Sequence, residues 1–208
     1  MASMSTDDER YVKELEAERR EKDRFFKEHT HSPIPWALRD GFAGLAYFPA
    51  NPAYGIHVTL QRYPNPEPVV LATSKGIPRH MLKWGYFEFT IHGRTRRLQT
   101  YKSIRPEPGE ESLFVPFRDA TSGKESYGAA RYLDLPIRAD DEYEVDFNRA
   151  YNPYCAYSDD YVCPFPPREN WLDIRIDAGE KDFPLKDVKE NLIPEEVHGH
   201  EYCHEHSH

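Results

Sequence analysis

Tyr86-Phe87-Glu88-Phe89-Thr90-Ile91-His92-Gly93-Arg94-Thr95-Arg96-Arg97 is the stretch that decides the fold. Phe87, Phe89 and Ile91 alternate with Tyr86, Glu88 and Thr90, the period-two pattern of a strand with one buried face. His92-Gly93 then supplies a tight hairpin turn, and a second strand follows over 96–101. The same alternation recurs outward. Ile56, Val58 and Leu60 alternate with His57, Thr59 and Gln61; Leu113, Val115 and Phe117 with Phe114, Pro116 and Arg118; Leu172, Ile174 and Ile176 with Asp173, Arg175 and Asp177. Tyr143, Val145 and Phe147 mark another strand, 69–72 is a short apolar run, and 132–137 carries a weaker pattern. About eight short antiparallel strands with frequent turns predict an all-β fold, a single barrel-like or sandwich domain. The sheet should be closed or nearly so, with Ile56, Val58, Leu60, Phe87, Phe89, Ile91, Leu172, Ile174 and Ile176 inside. Pro116 lies within a run, which predicts a strand edge or a bulge there.

Upstream the period changes. Thr6-Asp7-Asp8-Glu9 reads as a capping box with Thr6 as N-cap, and a helix should run to about Lys27. Glu9/Lys13, Glu16/Arg20, Glu18/Lys22 and Asp23/Lys27 are i,i+4 pairs in the favourable order. Its apolar side is thin, only Tyr11, Val12, Leu15, Phe25 and Phe26, so only the two ends are expected to pack. This predicts an N-terminal helical arm lying on the domain or on a partner subunit. The chain divides into an arm and connector (1–39), a β domain (40–181) and a histidine-rich C-terminal tail (182–208).

Composition narrows the class. Among 208 residues 13% are aromatic, too many for a disordered chain. No run approaches the ~18–20 apolar residues of a membrane span, and the charged N-terminus lacks the apolar core of a signal peptide. With three cysteines (155, 163 and 203) and no glycosylation sequon, a soluble, cytoplasmic protein without a membrane partner is expected. The net charge of -9 is concentrated in 180–208, with 8 acids against 3 bases, while 29–179 holds 19 against 17. A nucleic-acid partner would want a basic core, so none is expected. The basic cluster at 94–97 reads as the solvated rim of a turn.

Two segments are denser in chemistry than a core requires. The first runs Phe117-Arg118-Asp119-Ala120-Thr121-Ser122-Gly123-Lys124-Glu125-Ser126-Tyr127-Gly128-Ala129-Ala130-Arg131-Tyr132-Leu133-Asp134. It fails as a phosphate loop, because Arg118 stands where G-x-x-x-x-G-K-[ST] needs Gly and Glu125 where it needs Ser or Thr. The second, Asp146-Phe147-Asn148-Arg149-Ala150-Tyr151-Asn152-Pro153-Tyr154-Cys155-Ala156-Tyr157 followed by Cys163-Pro164-Phe165-Pro166-Pro167, is rich in rings and stiff prolines. It suits the wall of a pocket or a lid over the sheet.

The residues 118–134, 146–157 and 163–167, together with Ala178-Gly179-Glu180-Lys181, resemble the domain of unknown function 1684 family over 40–181. The family pattern usually reads Asn-Pro-Pro-Cys, where this chain has Tyr154 for the second proline. It usually reads Tyr-Gly-Gly-Gly-Arg, where this chain has Ala129 and Ala130. The resemblance implies no settled activity.

Three functions fit these residues. The leading expectation is binding of a small anionic ligand between loops 118–131 and 146–170. Arg118, Asp119, Thr121, Ser122, Lys124, Tyr127, Arg131, Asn148, Arg149, Tyr151, Asn152 and Tyr157 are its candidates. Arg131 is expected to reach Asp119 or Asp146 and to turn its remaining donors toward the pocket, since one carboxylate takes at most two of five. The alternative is a hydrolase or lyase using Asp119 or Asp146 with Tyr127, two carboxylates on one rim being able to share a proton. The third is a structural or interaction module without a small ligand. Cys155 and Cys163 read as packed thiols, a disulfide, or half of a metal site, spacing alone not deciding. His198, His200, Cys203, His204, His206 and His208 form a tract able to bind transition metals weakly. No cofactor is required by any motif.

Overall fold

A computed structural model of the chain describes residues 5–106 and 111–183. The proposed metal tract at His198, His200, Cys203, His204, His206 and His208 lies outside the described residues. Helix α1 (Thr6–Glu28) opens the fold. Its capping box is one residue earlier than the sequence reading placed it: Ser5 Oγ accepts from Asp8 N at 3.1 Å, and Asp8 accepts from Ser5 N at 3.2 Å. Serine caps as well as threonine, and an aspartate at the third helical position can reach back as a glutamate does.

The arm does not pack by its ends alone. Leu15 and Phe26 are buried, and between and beside them the charged residues face the body. Glu18 accepts from Arg149 at 2.8 and 3.0 Å, Lys22 pairs with Glu180, and Asp23 accepts from Leu45 N at 2.9 Å. Lys27 donates to Phe42 O at 3.3 Å. Of the four anticipated pairs along the helix, Glu16–Arg20 alone forms a salt bridge among the described residues, at 3.9 Å. A stripe this thin buries little apolar area, so long-range polar contacts complete the docking. The short helix α2 (Trp36–Arg39) follows.

The strands are β1 (Gly55–Thr59), β2 (Gln61–Leu71), β3 (Arg79–Ile91), β4 (Arg94–Ser103), β5 (Ser112–Phe117), β6 (Arg131–Pro136) and β7 (Glu142–Asp146). All pair antiparallel, in a five-stranded sheet of order β2-β3-β4-β5-β6 and a separate β1-β7 ribbon. The β3–β4 turn has the anticipated form, with φ of 52° at His92 and 70° at Gly93.

The sheet is not closed into a barrel, which corrects the expectation of a closed or nearly closed sheet. Its outer strands are β2 and β6. Pro64, Pro66 and Pro68 in β2 have no N–H to offer a further strand. The free edge of β6 is taken by Tyr151, which exchanges backbone hydrogen bonds of 2.8 and 3.0 Å with Tyr132. Leu172, Ile174 and Ile176 are buried as read, yet they form no strand of either sheet. Leu172 N donates to Arg118 O and Ile174 O accepts from Ala120 N, while Ile176 N donates to the Asp119 side chain. Pro116 lies neither at a sheet edge nor at a register shift of the β5–β6 ladder. The Asn170 side chain enters between β4 and β5, donating to Pro116 O and Gln99 O at 2.7 and 2.9 Å and accepting from Gln99 N at 2.7 Å.

The main core is formed by Phe87, Leu98, Leu113, Val115, Phe117, Phe147 and Ile176. Ile56 and Val58 are only partly buried against it. A second cluster joins α1 to the 151–164 segment through Phe26, Ile34, Tyr157 and Phe183.

Candidate functional site

Arg131 opens β6 with its side chain wholly buried. Its Nη2 donates to Asp119 Oδ1 at 3.2 Å and to Ile176 O at 3.0 Å; its Nη1 donates to Ala178 O and to Glu180 O. The expected Asp119 contact is present, but Nη1 and Nη2 turn their other donors to backbone carbonyls, and Nε has no hydrogen-bond partner among the described residues. Burial lowers the guanidinium pKa and the Asp119 carboxylate opposes that. Asp119 also accepts from Thr121 Oγ1 at 2.9 Å, Ser122 Oγ at 3.3 Å and Ile176 N at 2.8 Å. The pair is a bolt across the extended 172–180 segment. Gly179 lets that segment pass: its φ is +78°, and a Cβ there would stand 2.6 Å from Ala150 O.

Asp146 belongs to a different network. It accepts from Tyr11 Oη at 2.8 Å, Arg149 Nη1 at 2.5 Å, Asn148 N at 2.9 Å and Asn148 Nδ2 at 3.0 Å. Among the described residues none hydrogen-bonds to both aspartates. Of the other candidates, Arg118 stacks on Trp171 at 4.5 Å and Lys124 is exposed. Tyr127 Oη lies 3.7 Å from Cys155 Sγ.

A third carboxylate joins these networks. Glu180 is 1% exposed; it pairs with Lys22 and accepts from Asn152 N at 2.8 Å and Tyr157 Oη at 2.6 Å. Burial and Glu180 hold the Tyr157 phenol well above its ordinary pKa. Glu180 was not among the candidates, although the 178–181 motif contains it.

Beside this polar centre lies a cavity of about 810 Å³. Its floor is Phe114 of β5 with Tyr132 and Asp134 of β6. One wall is α1, through Lys22, Phe25 and Phe26; the facing wall is Tyr151, Tyr154, Tyr161 and Cys163. Of the twelve candidate ligand residues Tyr151 alone lines it. Lys22 Nζ lies 5.1 Å from the Tyr151 ring and 5.2 Å from Phe26. Tyr151 Oη donates to Asp134. Desolvation raises the Asp134 pKa, while Tyr151 and Arg79 act the other way. The phenols of Tyr132 and Tyr151 are raised by burial first.

Cys155 and Cys163 form no disulfide. Cys155 N donates to Cys163 Sγ at 3.3 Å, and the hydrogen bond with the Cys155 side chain, then burial, pushes the Cys163 thiol pKa up. Among the described residues no group of three or more His, Cys, Asp or Glu side chains is placed to hold a metal, and no helix is long and apolar enough to cross a membrane.

Residues 40–181 match the family described as Protein of unknown function (DUF1684). A solution NMR structure of an uncharacterized protein of Haloarcula marismortui is similar at 42% identity with a TM-score of 0.65, covering 86% of this chain and 97% of that one. No curated protein matches the chain.

Proposed function

Since the chain belongs to the DUF1684 family, whose description assigns no activity, we propose from the site itself that the protein binds a small, largely apolar molecule between α1, β6 and the 151–164 segment. The observation that carries this reading is the ring-walled cavity of about 810 Å³, within the ~300–1,000 Å³ of small-molecule sites. Rigid rings lose little entropy on contact, and the networks around Asp119, Asp146 and Glu180 brace the elements carrying them. In this reading the 151–164 segment supplies one wall, and the cavity lining includes none of residues 118–131.

The test is a ligand-observed NMR screen against the full chain, repeated on Val162→Trp, which adds bulk at an exposed position of the wall. True site ligands lose at least tenfold in affinity in that variant. Hits that bind both proteins equally would defeat the reading.

A further inference from the structure

We infer that Cys155 and Cys163 are a redox-active dithiol, which a small disulfide entering the cavity converts to an intramolecular disulfide. This goes beyond the binding reading, because it concerns the chemistry of the cavity wall and needs no resident ligand.

The fold holds the two sulfurs together from both sides. Cys155 lies in a 3-10 turn (Tyr154–Ala156) in which Ala156 N donates to Pro153 O at 2.9 Å and Tyr157 N to Tyr154 O at 3.0 Å. Cys163 lies on a stretch tied to residues 72–74. Its N–H donates to Ser74 Oγ at 3.1 Å, its carbonyl accepts from Ser74 N at 3.0 Å, and Phe165 N donates to Ala72 O at 2.7 Å. Between these two anchored backbones Cys155 N reaches Cys163 Sγ at 3.3 Å, and the two side chains hydrogen-bond to each other. A cysteine that only fills apolar space needs no second sulfur beside it. Residues 156–162 form the loop that an S–S bond would close.

Access separates the two thiols. Cys155 is 4% exposed and Cys163 6%, yet Cys163 lines the cavity of about 810 Å³ and Cys155 does not. A small disulfide R–S–S–R in that cavity therefore meets Cys163 first. The Cys163 thiolate attacks one sulfur, the R–S–S–R bond breaks, and RS⁻ leaves and takes up the proton that Cys163 gave up. Cys155 then attacks Cys163 Sγ in the mixed disulfide, and the second RS⁻ leaves with the Cys155 proton. The two cysteines lose two electrons and two protons, and the reagent gains both as two RSH. The Cys155 N–H favours a thiolate at Cys163, but the hydrogen bond with the Cys155 side chain and burial outweigh it. Entry is therefore slow, and the pair is best read at equilibrium.

The experiment equilibrates the full chain, in a Cys203→Ser background, with bis(2-hydroxyethyl) disulfide and its thiol over a series of ratios, followed by acid quench and mass spectrometry. The expected product lacks two hydrogen atoms, and peptide mapping joins Cys155 to Cys163. The native chain should be half-oxidised at a value of [RSH]²/[RSSR] at least about tenfold higher than the urea-unfolded chain, about 30 mV for this two-electron couple. Cys155→Ser should stop at the mixed disulfide on Cys163. A native midpoint no higher than the unfolded one, or a mixed disulfide that persists in the parent, overturns the inference, and neither result depends on a variant. A folded Cys155→Ser chain that takes up no reagent overturns it as well. None of these outcomes bears on whether the cavity binds a small molecule, which the NMR screen decides.

Discussion

Replacing Arg131 by lysine keeps the charge and removes the fork, so it asks what the fork does. In the native chain the guanidinium serves Asp119 Oδ1 and the carbonyls of Ile176, Ala178 and Glu180. A lysine ammonium has three donors on one atom and cannot span carbonyls spread over five residues. If two charge-assisted bonds are lost at about 1.5–3 kcal/mol each, and water or relaxation recovers part, the cost is about 3 kcal/mol. At roughly 2–4 °C per kcal/mol for a chain of this size, Tm falls by about 6–12 °C. Arg131→Met leaves Asp119 buried without its cation and should cost about 3–5 kcal/mol. Adding Asp119→Asn to it should cost less than the sum of the two single changes, because the orphaned charge is then gone. Urea and thermal denaturation followed by circular dichroism measure all three. A loss below about 1 kcal/mol in Arg131→Lys, accompanied by weaker ligand binding, would show that Arg131 is a ligand clamp and that the bolt is misread.

Phe26→Ala opens a hole between α1 and Tyr157 and should cost about 3–5 kcal/mol in urea denaturation; a loss under 1 kcal/mol would mean that α1 is not anchored there. Gly179→Ala puts a Cβ against two carbonyl oxygens at a positive φ, so a loss above about 2 kcal/mol is expected, and an unchanged Tm would refute the close passage. Asp134 has a folded-state pKa above its unfolded value, so its ionisation disfavours the native state. The penalty is absent below the ordinary carboxylate range and complete above the folded pKa. Asp134→Asn should therefore gain stability relative to the parent as pH rises through that window, and a pH-independent difference between their urea midpoints would contradict this. In a Cys203→Ser background the native protein should react with iodoacetamide at pH 8 far more slowly than the urea-unfolded chain, because the Cys163 thiolate is disfavoured; equal rates would remove that account.

Local rules were legible along the chain, and joins between distant residues were not. Phe87, Phe89 and Ile91 had to face a core once they alternated with polar neighbours, and His92-Gly93 had to turn. The same logic applied to Leu172, Ile174 and Ile176 identified buried residues but not a strand. Burial depends on the side chain, while a ladder needs a continuing backbone partner: Leu172 and Ile174 bond the backbone of Arg118 and Ala120, but Ile176 N meets the Asp119 carboxylate instead. Closure failed for the same reason: whether β2 meets β6 is set by prolines on one edge and Tyr151 on the other. The proline- and tyrosine-rich segment 146–170 announced a wall. The opposite wall, from Lys22 and Phe26, lies far from it in sequence and in a stretch without a motif. Asp134 and Glu180 stood inside quoted motifs, where their role as hydrogen-bond acceptors from tyrosines could have been considered.

The first residue of the family match, Asp40, comes after α1 and α2 have ended. A chain cut there would retain every described strand and lose Lys22, Phe25 and Phe26 from the cavity. The boundary of the shared domain and the boundary of the proposed binding unit are thus different lines. Two proteins with superimposable sheets but different leading segments would present differently shaped chambers to their ligands. Comparing such proteins by the common domain alone would therefore miss the residues that set what each one admits.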